Sequence, residues 1–197
     1  AVGECACISV HGANRLGCNP LVDLVVFGRR AGKKMSADLT DLAWIELPDK
    51  PDARVTETME RLKTRETGER AYAVRSDLQK VMTEDCSVFR TEKGLKDAVS
   101  RLDALKDRYT RVLVDDRGNA FNTDLLEAIE LEYLLGLAEA ILHSALERKE
   151  SRGAHYREDY PERDDAQWLK HTLIRRTDSG VEMSYKPVTI TRFQPKP

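Results

Sequence analysis

The sequence has no apolar run near the ~20 residues that a membrane-spanning helix requires. Asp23 interrupts Leu21 to Phe27, and Glu139 interrupts Tyr133 to Leu142. Direct membrane insertion is therefore not expected, and any membrane association would come through a partner. An excess of one charge is also missing: 32 basic residues face 34 acidic ones and alternate with them, without the basic block that tracks a phosphate backbone. That argues against a nucleic-acid partner. Cysteine is scarce and unpaired in pattern, since Cys5, Cys7, Cys18 and Cys86 include no Cys-x-x-Cys. With no ligand set at metal-site spacing, no metal is expected, and a reducing compartment is the natural reading. The opening Ala1-Val2-Gly3-Glu4 has no Met, signal peptide or helix-starting pattern, which reads as a start in mid-domain of a longer protein.

What is present is enough apolar residue, 41% of 197, for a core of one ordinary domain or two small ones. Cys5 to Val10 is short, partly β-branched and followed by Gly12 and Gly17, the pattern of a strand running into a loop. A helix is predicted next, with Asn19 as N-cap, Pro20 at the first helical position and an apolar surface from Leu21, Leu24, Val25 and Phe27. After Pro48-Asp49-Lys50-Pro51 the pattern becomes long and amphipathic. Val55, Met59 and Leu62, then Val74, Leu78, Val81 and Met82, then Leu95, Ala98, Leu102, Leu105 and Tyr109 recur at spacings of three and four. Thr123 to Lys149 carries a wider apolar arc and is the helix predicted to be most buried. Short connections make these neighbours in an antiparallel helical bundle. Lys170 to Thr177 and Val181 to Thr191, around Asp178-Ser179-Gly180, read as a β-hairpin. The fold class is α+β, mainly α: the end of an α/β domain at 1–48, the bundle at 49–150 and a small C-terminal β-containing segment at 151–197.

The first loop concentrates the chemistry. A strand, an acidic residue, a glycine loop and a helix N-terminus are what open α/β sheets use to hold a nucleotide cofactor. Glu4 can accept from ribose hydroxyls, and the helix start at Asn19 and Pro20 directs N–H groups and partial positive charge outward. Arg15 lies between them, with a planar fork suited to a carboxylate and a charge that persists at working pH. Taken alone this is a weak signal, because a loop arginine is usually a surface or ion-pair residue. His11 can donate to a bound group, but ordering the loop through backbone hydrogen bonds is the favoured role. His143, His155 and His171 have no ligand spacing, and Cys5 and Cys7 are read as packed thiols.

Residues 1–29, Ala-Val-Gly-Glu-Cys-Ala-Cys-Ile-Ser-Val-His-Gly-Ala-Asn-Arg-Leu-Gly-Cys-Asn-Pro-Leu-Val-Asp-Leu-Val-Val-Phe-Gly-Arg, closely resemble the flavoprotein subunits of succinate dehydrogenase and fumarate reductase. The resemblance continues through Ser87-Val88-Phe89-Arg90, Phe121-Asn122-Thr123, Glu150 to His155, Tyr160 to Asp165, Trp168 to His171 and Met183 to Pro187. It implies that residues 1–48 end an FAD-binding domain, that Arg15 binds one carboxylate of succinate or fumarate, and that Glu4, Pro20 and Leu21 contact FAD. Where the family more often has Ser, this chain has Pro20, so the flavin contact there is expected from the Leu21 N–H. No catalytic residue is assigned within this chain; the proton-transfer arginine and covalent FAD attachment are expected upstream. The resemblance further implies an iron–sulfur subunit as partner, membrane-anchor subunits beyond it, and a peripheral position on the cytoplasmic face of the inner membrane, or the matrix side in mitochondria. Arg152 and His155 read as a polar junction between bundle and flavin domain. L-aspartate oxidase shares a similar His-Gly-Ala-Asn-Arg loop and is the alternative, and a helical partner-binding module would account for 52–150 but not for the glycine loop.

Overall fold

In the computed structural model the described residues are 3, 6–178 and 180–194. They form two compact units, one of residues 1–51 with 152–155 and one of residues 52–151 with 156–197. The tail that the sequence set apart is thus divided, most of it packing with the bundle.

In the first unit, helix α1 spans Asn19–Asp38. Its cap residue is Cys18, so Asn19 is the first helical residue and Pro20 the second, one position later than expected. Pro20 costs nothing there because N–H groups in the first turn have no intrahelical acceptor. The strand expected at 5–10 is not formed by the described residues 6–10. Cys7 and Ser9 turn into the left-handed region at φ 48° and 65°, which breaks the alternation a strand needs. A strand also requires an edge to pair with, and the paired strands of the described residues all lie in the second unit.

The second unit is built on α2 (Ala53–Thr64), α3 (Ala71–Asp85), α4 (Glu92–Tyr109) and α5 (Thr123–Glu147). The three–four spacing is what buries one face: Leu95, Ala98, Leu102, Leu105 and Tyr109 are all buried, as are Leu62, Val74, Leu78 and Val81. Leu95, Leu102, Leu131 and Leu142 are at most 1% exposed, and each such side chain contributes about 1.5–3 kcal/mol. α5 is less enclosed than its apolar arc suggested, since Leu126, Tyr133 and Leu137 are more than half exposed. Side-chain caps define two starts: Thr91 accepts from the Gly94 N–H at 3.1 Å for α4, and Asn122 from the Leu125 N–H at 2.8 Å for α5.

Two parallel two-residue pairings fix helix direction. β1 (Glu69–Arg70) pairs with β3 (Val112–Leu113), placing the start of α3 beside the end of α4. β2 (Phe89–Arg90) pairs with β4 (Tyr156–Arg157), placing the start of α4 beside the chain that leaves α5. Successive helices α3, α4 and α5 are therefore antiparallel. Gly68 is required at the first junction, because a Cβ there would lie 2.1 Å from the Arg111 carbonyl oxygen, the acceptor of the Glu69 N–H. Arg108 closes the same junction with Glu69 and with Asp77 at 2.6 Å. A short helix α6 (Asp165–Trp168) leads into the antiparallel hairpin of β5 (Lys170–Thr177) and β6 (Gly180–Pro187), registered from Lys170↔Pro187 to Thr177↔Gly180. Ser179 of its turn lies outside the described residues.

The second junction is organised by Arg157, a fully buried cation. Its Nη1 donates to the carbonyls of Ala145, Leu146 and Arg148 at 3.0, 3.1 and 3.3 Å, the C-terminal end of α5. Its Nε and Nη2 grip Asp159 bidentately, each at 2.8 Å. Asp159 in turn accepts from the Glu92 N–H at 2.8 Å, at the N-terminus of α4. A cation thus meets a helix C-terminus and an anion a helix N-terminus, the favourable sign at both. Arg157→Ala leaves those groups unpaired, so we expect a loss of about 3–5 kcal/mol, measured as a lowered unfolding transition of this unit. The Arg157 fork holds the Asp159 carboxyl down at about 2, against the opposing effect of burial. An unfolded Asp titrates near about 3.9, so the unfolded chain takes up the proton first as pH falls. The stabilisation should be complete above about pH 4 and disappear as pH drops toward 2, a dependence that pH-resolved thermal unfolding should find diminished in Asp159→Asn.

Candidate functional site

The loop before α1 is the candidate site. After a turn closed by Ala6 N–H to the Gly3 carbonyl at 3.1 Å, the chain passes the left-handed residues Cys7 and Ser9 and reaches His11. Gly12 reverses it at φ 64°, a conformation that carries little penalty without a Cβ. An open depression of ≈ 310 Å³ results, with Ser9, His11, Asn14, Arg15 and Asp23 among its lining residues. Arg15 is half-buried at its wall.

His11 does order the loop, but through a side chain and not through backbone. Its Nε2 lies 2.8 Å from Asp23 Oδ2, one turn into α1. An ionised carboxylate only accepts, so Nε2 carries the proton of this bond. Asp23 is the one buried residue of α1, at 6% exposure, while Leu21, Val22 and Val25 are at least 60% exposed. The second carboxylate oxygen, Oδ1, is buried with no hydrogen-bond partner.

Of the expected cofactor contacts, Glu4 lies outside the described residues. Pro20 is half-buried, and the Leu21 side chain is exposed. The Leu21 N–H donates to the Cys18 carbonyl at 3.1 Å, closing the first turn, so any ligand contact would share that donor. Arg152 and His155 form a tight turn, Arg152 N–H to His155 O at 2.8 Å and His155 N–H to Arg152 O at 3.1 Å, grouped with residues 1–51. Asp23 was legible only as the charge that breaks an apolar run. Its partnership with a histidine twelve residues earlier has no local signature.

The family model described as fumarate reductase flavoprotein C-term matches residues 75–197. The chain belongs to this family. It is 43% identical to the fumarate reductase flavoprotein subunit of Haemophilus influenzae over 99% of its own length, and 44% identical to the succinate dehydrogenase flavoprotein subunit of Coxiella burnetii over 96%. It spans about a third of those relatives, 33% and 32% of their lengths. Against an E. coli quinol fumarate reductase structure the fold superposes with TM-score 0.89 at 39% identity, covering all of this chain and 34% of that one. The mainly α, α+β architecture is therefore the family's, and the loop lies within the stretch aligned to those flavoprotein subunits. Among the described residues no helix is long and apolar enough to cross a membrane.

Proposed function

We propose that this chain is the C-terminal part of a flavoprotein subunit that oxidises succinate to fumarate, with Arg15 holding one substrate carboxylate. The observation that carries the reading is a half-buried arginine on the wall of an open depression, in a loop tied to α1 by the His11–Asp23 bond. A guanidinium fork orients a planar carboxylate by two parallel charge-assisted bonds and keeps its charge throughout turnover. Holding one end of a dicarboxylate fixes where its central carbons lie, a positioning contribution. The site's features fit FAD: a twenty-residue helix begins beside the depression and offers positive potential at its N-terminus. Pro20 and Leu21 would lie against the ring, with the Leu21 N–H shared between Cys18 and the flavin, and Glu4 would accept from the ribose. When bound, FAD supplies the hydride acceptor.

The covalent flavin link, the proton-transfer arginine and the dinucleotide-binding glycine loop are assigned to the two thirds of the relatives that this chain does not span. The partners proposed are an iron–sulfur subunit that takes the electrons and, through it, membrane-anchor subunits, on the cytoplasmic face of the inner membrane or the matrix side of a mitochondrion. Relatives named for either direction of reaction are equally similar, so succinate oxidation is the direction to be tested against fumarate reduction, and L-aspartate is the competing substrate. In the full-length subunit Arg15→Ala should lower kcat/KM for succinate by about 10²–10³-fold, the worth of two charge-assisted hydrogen bonds, while FAD content is retained. Unchanged turnover in that variant, or oxidation of L-aspartate but not succinate by the unaltered subunit, would overturn the reading.

A further inference from the structure

The buried position of α1 is spent on a carboxylate, and what that carboxylate holds is the loop bearing Arg15. Gly12, Ala13, Asn14, Leu16 and Gly17 are exposed, so apolar packing does not fix the segment between His11 and Cys18. Two pins do. At one end the His11 imidazole, with its side chain 13% exposed, is bonded to Asp23. At the other, the Cys18 carbonyl accepts from the N–H groups of Leu21 and Val22 at 3.1 and 3.3 Å. Both pins lie on the first turns of the same helix, and Arg15 stands between them.

We propose that His11 and Asp23 form a positioning pair that sets the affinity of Arg15 for a dicarboxylate, acting through the loop and without touching the substrate. The pair is directional where packing would not be, since the imidazole N–H must point at one oxygen. Its two members depend on each other. Oδ1 of Asp23 already lacks a partner, so removing His11 leaves a buried carboxylate with neither oxygen bonded, and removing Asp23 frees the imidazole and with it the near end of the loop. Either loss releases the same constraint. Losing both should therefore cost no more than losing one.

The proposal rests on the reading of Arg15 as a carboxylate clamp, and the experiment separates the two. Full-length flavinated subunits carrying Arg15→Ala, His11→Ala, Asp23→Ala, the isosteric Asp23→Asn or the double change His11→Ala with Asp23→Ala are titrated calorimetrically with malonate. Its single methylene leaves no carbon pair to desaturate, so binding is read without turnover. His11→Ala and Asp23→Ala should each weaken malonate binding and raise the succinate KM by about 10-fold, the loss of one charge-assisted bond, with a smaller change in kcat. The double change should be no weaker than either single one. Asp23→Asn keeps an acceptor for the imidazole N–H and should retain affinity to within about 3-fold, which also covers the case in which Asp23→Ala does not fold. Single changes that leave malonate affinity unaltered while Arg15→Ala abolishes it, or effects that add in the double change, would overturn the positioning role alone. Unaltered affinity in Arg15→Ala would overturn the clamp, and this proposal with it.

Discussion

The second unit depends on one buried guanidinium. Arg157 is fully enclosed, and a cation there is tolerable only because all three of its nitrogens are engaged, by Asp159 and by three carbonyls at the end of α5. The same group neutralises two helix ends at once, directly at α5 and through Asp159 at α4. Around it the chain leaving α5 folds back: Ser151 Oγ accepts from the Arg157 N–H at 2.8 Å and donates to the Tyr160 carbonyl at 2.8 Å, and buried Glu150 accepts from the Asp164 N–H at 2.9 Å. Arg148 then carries the constraint to the hairpin, donating to the Trp168 and Lys170 carbonyls at 2.9 and 2.6 Å. Without that turn neither β4 nor the hairpin would have a fixed position on the bundle.

How much of this was legible follows from how local each signal is. Helices α3 and α4 were legible because burial of one face of a 3.6-residue period is written in every turn, and the expected positions are the buried ones, with Met82 only partly so. The hairpin was legible from β-branched runs around a turn. The two-residue strands were not: β1 with β3 and β2 with β4 are too short to show alternation, and their pairing joins residues more than forty positions apart. Arg157 was invisible for a related reason. It sits in Arg157-Glu158-Asp159-Tyr160-Pro161-Glu162-Arg163, a composition that reads as solvated surface until tertiary structure closes over it. The resemblance to the family took in Glu150 to His155 and Tyr160 to Asp165 on either side and left Arg157 itself unmarked, and only the helix-end geometry shows its role. The strand at 5–10 failed in the opposite direction: local propensity was present, but among the described residues Cys7 and Ser9 turn left-handed and the paired strands lie in the other unit.

The two arginines show what separates a structural cation from one proposed to hold a ligand. Arg157 and Arg15 have the same fork and the same permanent charge, so residue type decides nothing. Arg157 commits every nitrogen inward, is closed to solvent, and has an acidic partner two residues further along the chain, which makes it unable to accept a ligand without unfolding its surroundings. Arg15 stands half-buried at an open depression, and Asp23, which lines the same depression, is bonded to His11. Asp23 bonded to the histidine four residues before Arg15 anchors the loop that carries the proposed clamp, so one acid and one histidine fix the segment from which the guanidinium projects.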